Sequence, residues 1–156
     1  MPTISMFRGI KISMYWNDHM PPHFHATYGG EELNSMRNVG YYLAKGLDRK
    51  TAEYFAEGRK RIVHVVPNDN FTLVISFDNG EKRLYDVAPL LQAGTVFAPF
   101  RELKNFRRVY VDESHCIAWD TDPNVDSNVV WSNKVDLCPD SCYIDSVPLS
   151  GGVPNV

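Results

Sequence analysis

Residues 71–87 read FTLVISFDNGEKRLYDV, and this stretch decides the fold of the larger part of the chain. Both of its halves are rich in β-branched and aromatic residues, which favour strands. Asp78-Asn79-Gly80 separates the halves, and Asn-Gly is preferred in tight hairpin turns because both residues tolerate positive φ. The stretch therefore predicts an antiparallel hairpin with its tip at Asn79-Gly80.

The segments that flank this hairpin continue the β pattern. RIVHVV at 61–66 predicts a strand that ends at a proline, which cannot donate a hydrogen bond to a sheet. VYVDESHCIAW at 109–119 predicts a second hairpin that turns at 112–114, where Asp and Ser favour a turn. NVVWSNKVDL at 128–137 predicts a third hairpin, with Ser-Asn at its tip.

Aromatic and helical segments complete the larger unit. We expect Trp119 and Trp131 to pack across strands in the core, as strand aromatics commonly do. The stretch near 98–106 predicts a short helix, and Asp140 is the expected N-cap of a last helical turn. The Gly/Pro-containing tail that follows reads as disordered.

The first thirty residues predict a β-meander. Residues 3–16 alternate around a glycine, which indicates two strands and a bend, and a third short strand follows at 23–28. From Met36, apolar residues recur at steps of three and four, which favours a helix. Asp48 is the expected N-cap of a second helix at 49–61.

Together these elements predict an α+β protein, mostly antiparallel β-sheet with a few short helices. The predicted organisation has four segments: a small N-terminal β module at 1–32, a helical connector at 33–60, a β-rich domain at 61–146 and a disordered tail at 147–156.

Composition excludes several classes of protein. A chain of 156 residues with 44% hydrophobic and 12% aromatic residues can bury a core. Its net charge of −3 argues against non-specific nucleic-acid binding, which needs a basic surface. No apolar run approaches the roughly 20 residues that span a bilayer. Three cysteines and an N-terminus unlike a signal peptide favour the cytoplasm.

Both parts of the chain resemble known families. FTLVISFDNGEKRLYDVAPLL, FRELKNFRRVYV and VVWSNKVDLCPDSCY, within a region of about 62–146, match the pattern of domain of unknown function 2442. MPTISMFRGIKISMYWNDHMPPHFHATYGG, residues 1 to about 30, is similar to the start of domain of unknown function 4160. Residues 31–60 depart from that second pattern, which indicates a truncated or remodelled copy.

The resemblance implies a biological context, because the two families are commonly encoded side by side as predicted bacterial toxin-antitoxin pairs. The larger unit is similar to the antitoxin-like partner, and no catalytic residues are implied. We therefore expect a non-enzymatic, antitoxin-like protein that binds a cognate toxin. We also expect it to form a homo-oligomer, as a dimer, and to contact DNA only within a complex.

The segment 15–26 carries the densest cluster of chemically active side chains. Three of the chain's five histidines flank a Pro-Pro pair, which restricts the backbone. We expect a packed surface that binds a partner, formed by Tyr15, Trp16, Asp18, His19, His23, Phe24 and His25. The simpler alternative is a structural cluster in which the imidazoles bond to the backbone.

A metal site is the competing interpretation of the same segment. On one strand, His23 and His25 would point to the same face, roughly 7 Å apart, and could chelate a divalent ion. The third ligand could come from His19, Asp18 or Glu31. The protein would then be a metal-dependent hydrolase or nuclease. Without such a site we expect no cofactor.

A basic face supports a third hypothesis. Arg101, Lys104 and Arg108 recur at helical spacing and could contact phosphates, which would suit a nucleic-acid-linked transcriptional regulator. A solvated surface is the simpler explanation, because acidic residues lie nearby. Cys138 and Cys142 are expected to be buried structural residues, since no second ligand pair accompanies them.

Overall fold

The computed structural model describes residues 3–13, 25–33 and 38–149. These residues form eleven strands in three antiparallel sheets, together with four short α-helices, so the predicted α+β class is confirmed. The chain divides into two compact units, Met1–Lys60 and Arg61–Val156.

The first unit is a four-stranded meander followed by two helices. Its elements are β1 (Thr3–Phe7), β2 (Ile10–Ser13), β3 (His25–Tyr28), β4 (Glu31–Leu33), α1 (Val39–Ala44) and α2 (Arg49–Glu57). The strands pair in the order β1-β2-β3-β4. Buried side chains from both the sheet and the helices form the core of this unit, among them Ile10, Ile12, Ala26, Tyr42 and Phe55.

Side-chain caps fix where the two helices start. The Thr51 N–H donates to Asp48 Oδ2 at 3.1 Å, which confirms Asp48 as the N-cap of α2. In the same way, Asn38 Oδ1 accepts the N–H of Tyr41 at 2.9 Å and begins α1. The helix predicted over 49–61 ends earlier, because Gly58 takes a φ of 109° that stops α2 at Glu57.

The second unit contains two sheets. Its elements are β5 (Ile62–Pro67), β6 (Thr72–Phe77), β7 (Lys82–Asp86), α3 (Leu103–Phe106), β8 (Tyr110–Val111), β9 (Ile117–Asp120), β10 (Lys134–Leu137), α4 (Pro139–Asp145) and β11 (Val147–Pro148). One sheet has the order β11-β7-β6-β5 and the other the order β10-β9-β8. Short 3₁₀ segments lie at Ala88–Leu90, Ala98–Arg101 and Trp131–Asn133.

Two of the three predicted hairpins are confirmed. Strands β6 and β7 pair across the Asn79-Gly80 turn, with Ile75 opposite Arg83, and β8 pairs with β9. The third prediction, a hairpin over 128–137, is wrong. Only β10 is a strand in that stretch, and it pairs with β9 instead of with the residues just before it.

The core of the second unit surrounds Trp119. This side chain is fully buried, its Nε1–H donates to the Phe106 carbonyl at 2.9 Å, and its ring stacks on Phe100 at 5.3 Å between centroids. The predicted core position of Trp119 is therefore confirmed. The same prediction for Trp131 is wrong, because that residue lies in a 3₁₀ segment and is 48% exposed.

The C-terminal helix and strand pack against β7 in an arrangement that the sequence did not predict. Cys138, and not Asp140, caps α4; Asp140 instead lies in its first turn. After α4, Arg83 Nε donates to Ser146 Oγ at 2.8 Å, and β11 then pairs with β7. Regular structure thus continues to Pro148, inside the segment predicted as a tail.

Candidate functional site

Three consecutive large apolar residues are exposed just before β10. Val129 is 79% exposed, Val130 44% and Trp131 48%. Single exposed apolar residues are normal, whereas large exposed apolar patches mark interaction sites, so three exposed apolar residues in a row are a candidate for such a site. We call these three residues the Val-Val-Trp surface.

The loop that carries this surface, residues 121–133, is closed by the buried side chain of Asn133. Its Oδ1 accepts the N–H of Asp122 at 2.8 Å. Its Nδ2 lies within hydrogen-bonding distance of three acceptors, the carbonyls of Asp122 (3.0 Å) and Val125 (3.1 Å) and the hydroxyl of Ser127 (3.0 Å). One amide group therefore ties the start, the middle and the end of the loop together.

Asp120, the last residue of β9, provides a second attachment. Its Oδ1 accepts hydrogen bonds from the Ser127 hydroxyl at 2.6 Å and from the Tyr110 hydroxyl at 2.7 Å. Burial, followed by the hydrogen bond to Asp120, raises the pKa of Tyr110, so this hydroxyl remains a donor at neutral pH. The loop is thereby attached to both β8 and β9.

Backbone hydrogen bonds fix the turn that carries the two valines. The N–H groups of Val129 and Val130 both donate to the Asp126 carbonyl, at 3.0 and 2.8 Å. The Asp126 side chain accepts the N–H of Asn128 at 2.9 Å. These hydrogen bonds pair the backbone N–H groups within the turn. The segment that carries the exposed valines therefore leaves none of these three N–H groups unpaired.

The beginning of the same loop lines an open cleft of about 530 Å³. The lining residues are Lys104, Asn105, Arg108, Thr121, Asp122 and Pro123. The side chain of Lys104 is 79% exposed and pairs with Glu102 at 3.4 Å, while Arg108 donates to Asn105 Oδ1 at 3.2 Å. The structure thus brings together two of the three predicted basic residues. Arg101 is exposed and is not part of the cleft lining.

The predicted surface around the Pro-Pro pair falls almost wholly outside the described residues. Tyr15, Trp16, Asp18, His19, His23 and Phe24 belong to that part of the chain. His25 is described: it begins β3, lies opposite Ser13 of β2, and is half-buried. The partner and metal hypotheses for this segment therefore stay predictions.

Sequence reasoning missed the Val-Val-Trp surface, because an apolar triplet followed by KVDL resembles a strand. One available signal was the preceding run DTDPNVDSN at 120–128, which is dense in turn-forming residues. A long polar turn before an apolar triplet is consistent with a structured loop that presents those residues.

Comparisons with known proteins place the chain in a family. None of the helices in the described residues is long and apolar enough to cross a membrane. Curated proteins and solved structures give no match. The model of a domain of unknown function, DUF4160, matches residues 9–57, so the match continues past residue 30 through α1 and α2.

The second family match covers more than half of the chain. The model described as protein of unknown function, DUF2442, matches residues 62–143, a range that includes the loop 121–133 and the cleft. Residues 9–57, which precede that unit, are similar to DUF4160. The chain therefore belongs to the DUF2442 family.

Proposed function

We propose that this protein is the antitoxin-like component of a bacterial toxin-antitoxin system and that it acts by binding a partner protein through the Val-Val-Trp surface. In this account the protein performs no reaction of its own. The observation that carries the proposal is that Val129, Val130 and Trp131 are exposed on a loop that internal hydrogen bonds hold in place.

Tryptophan is enriched among the few residues that contribute most to protein-protein binding. Alanine substitution of these few interface residues costs about 2 kcal/mol or more. Two valines beside the indole widen the apolar area that a partner can cover. Contact of these apolar side chains with water is unfavourable in the free protein. Binding is favoured because a partner removes them from water.

The order of the loop favours binding as well. Fixing a mobile side chain at an interface costs about 0.5–1.5 kcal/mol, and a preorganised surface avoids part of that cost. Asn133 and Asp120 already hold the loop in one conformation before a partner arrives. The buried Asn133 amide, with its four contacts, restricts the loop more than a simple solvent-exposed connection requires.

The chemistry of the surface indicates the kind of partner. An indole with two valines fits an apolar recess on a second protein, and not a polar or phosphate-rich surface. We therefore assign the partner as a toxin-like protein with an apolar recess.

The test is calorimetric titration of the purified full-length chain with the purified products of the adjacent reading frames. We expect one of them to bind, and Trp131→Ala to weaken that binding by about thirtyfold, the equivalent of 2 kcal/mol. Val129→Ser should also weaken it. The matched control is Val96→Ser, which changes a valine that is 67% exposed outside the loop and should leave the dissociation constant within about twofold.

Two results would overturn the proposal. One is that none of the neighbouring products binds. The other is a complex whose dissociation constant is the same for the wild type and Trp131→Ala, because the surface would then contribute nothing to recognition.

A further inference from the structure

Three side chains with metal-binding atoms meet where the β8–β9 turn approaches β10. The carboxylate oxygens of Asp112 and Asp136 and the Sγ of Cys116 all lie within 4.8 Å of one another. Strand pairing explains the meeting, because Tyr110, Ala118 and Asp136 are opposed across the three strands. Asp112 and Cys116 each lie two residues from one of these, so they project from the same face of the sheet.

Asp112 uses its two oxygens differently. Oδ1 accepts the backbone N–H groups of Ser114 and Cys116, both at 2.9 Å, and so shapes the turn. Oδ2 faces the ammonium of Lys134 at 3.1 Å. The Asp112 side chain is only 6% exposed, so this oxygen already occupies a protected position in contact with a cation.

Cys116 places a buried polar atom in the same cluster. The residue is 1% exposed, and within the described part of the chain its Sγ makes no hydrogen bond. A packed core would suit a thiol that faces apolar neighbours, whereas this one lies beside two carboxylates. Burial, together with the nearby charge of Asp112, raises the pKa of the thiol, so it holds its proton while no metal is present.

Within the described residues, the cluster places two carboxyl groups beside one paired cation. The Lys134 ammonium contacts Asp112 Oδ2 at 3.1 Å. The half-buried Asp136 carboxyl and the buried Cys116 thiol lie within 4.8 Å of the Asp112 carboxylate. A metal ion at this position would therefore meet three ligand atoms that the fold already holds together.

We propose that Asp112, Cys116 and Asp136 bind a divalent metal ion of the zinc type. Two carboxylate oxygens and one thiolate suit a borderline-soft ion, which takes oxygen at about 2.0–2.2 Å and sulfur at about 2.3 Å. Three atoms within 4.8 Å of one another reach those distances after small side-chain rotations. Magnesium and calcium prefer all-oxygen ligands and fit the thiolate poorly.

Binding follows a balanced exchange. The metal forms bonds to Asp112 Oδ2, Asp136 and Cys116 Sγ, and the Cys116 proton leaves to solvent. Lys134 releases Asp112 and turns toward water, which its partial exposure permits. Since Asp136 is half-buried and opens to solvent, a water molecule completes the tetrahedral set.

Cobalt absorption tests the site in the full-length, untagged protein after chelation and dialysis. We expect one Co²⁺ per chain, a thiolate-to-cobalt charge-transfer band, and complete displacement by Zn²⁺. Calorimetry with Zn²⁺ in two buffers should show about one proton released per ion. Cys116→Ser should abolish the band and weaken Zn²⁺ binding by about tenfold or more, which corresponds to at least 1.4 kcal/mol.

Three further variants test which residues form the site. Cys138→Ser is the matched control, because a serine can still cap α4 and the charge-transfer band should persist. Lys134→Met should tighten Zn²⁺ binding, since it removes the ammonium that competes for Asp112. If Cys116→Ser does not fold, Asp136→Asn replaces it and should weaken binding by a similar factor.

The inference fails if the wild type gives no charge-transfer band and no saturable Zn²⁺ binding in the micromolar range. It also fails if the band survives in Cys116→Ser, or if Asp136→Asn binds Zn²⁺ as tightly as the wild type. These results do not depend on the partner protein, so they leave the proposed function untouched.

Discussion

Asn133 and Asp122 are joined in both directions: the Asp122 N–H donates to Asn133 Oδ1 at 2.8 Å, and Asn133 Nδ2 donates to the Asp122 carbonyl at 3.0 Å. This reciprocal pair brings the two ends of the loop 121–133 together. Thr121 N–H adds a third bond to the Asn133 carbonyl at 2.7 Å. The conformation of the Val-Val-Trp surface therefore depends on one buried asparagine.

Replacing Asn133 should damage both the fold and recognition. Asn133→Ala removes a buried amide and with it the contacts to Asp122, Val125 and the buried Ser127 hydroxyl, and we expect a loss of about 1–2 kcal/mol in the free energy of unfolding. Urea unfolding followed by circular dichroism measures that loss. The control is Asn128→Ala in the same loop, which is exposed and should change stability by less than about 0.5 kcal/mol. Equal stability of the two variants would contradict the role given to Asn133.

The two tryptophans of the second unit should respond oppositely to truncation. Trp119→Ala removes the centre of the core and should cost about 3–5 kcal/mol of stability. Trp131→Ala should cost clearly less, about 1 kcal/mol, because 48% of that residue already faces water. Thermal or urea unfolding distinguishes the two. A large destabilisation by Trp131→Ala would mean that the residue is structural.

Glu81 should make stability depend on pH. It accepts the Tyr143 hydroxyl at 2.7 Å and Arg83 Nη1 at 3.1 Å. Burial alone would raise the pKa of Glu81, but these hydrogen bonds outweigh it and lower the pKa from its ordinary value of 4.5. A depressed folded-state pKa stabilises the protein above the unfolded value, and this contribution disappears as pH falls through the folded-state pKa.

The corresponding variant is Glu81→Gln. We expect it to be less stable than the wild type at pH 7, with the gap closing as the pH is lowered below about 4. Because the Glu81 side chain is 42% exposed, solvent screening keeps the effect modest. Glu113→Gln, an exposed carboxylate in the β8–β9 turn, is the control. A gap that stays constant from pH 7 to pH 3 would exclude a role for the ionised Glu81.

Gly9 is required in the β1–β2 turn for two reasons. Its φ is +78°, and an added Cβ would lie 3.0 Å from the Tyr28 ring. Gly9→Ala should therefore lower the stability of the first unit by about 1–2 kcal/mol. Amide hydrogen exchange in β1 and β2 should become faster. Gly29→Ala, with a φ of +60° and no atom within 4 Å of its Cβ, should have the smaller effect. The reverse order would mean that the Tyr28 contact has no influence.

Local patterns were sufficient to predict much of the fold. The hairpin over 71–87 is specified by β-branched strands and an Asn-Gly tip, both of which act within a few residues. The N-cap of α2 is likewise a local contact, between Asp48 and Thr51. Predictions of this kind succeed because the stabilising groups are neighbours in sequence.

The loop and the metal-type cluster could not be predicted in the same way. The loop 121–133 departs from the expected hairpin because Asn133 bonds to backbone groups up to eleven residues away. Asp112 and Cys116 are close in sequence, but Asp136 reaches them only because β10 pairs with β9. Hydrophobic periodicity contains no information about that pairing.

The most direct measurement of the central claim is ¹⁹F NMR of the fluorotryptophan-labelled protein, with and without the neighbouring gene product that binds it. Trp131→Phe assigns the Trp131 resonance. We expect that resonance to shift or broaden in the complex, while the resonance of Trp119, buried in the core, stays in place. A complex that forms with the Trp131 resonance unchanged would contradict the account.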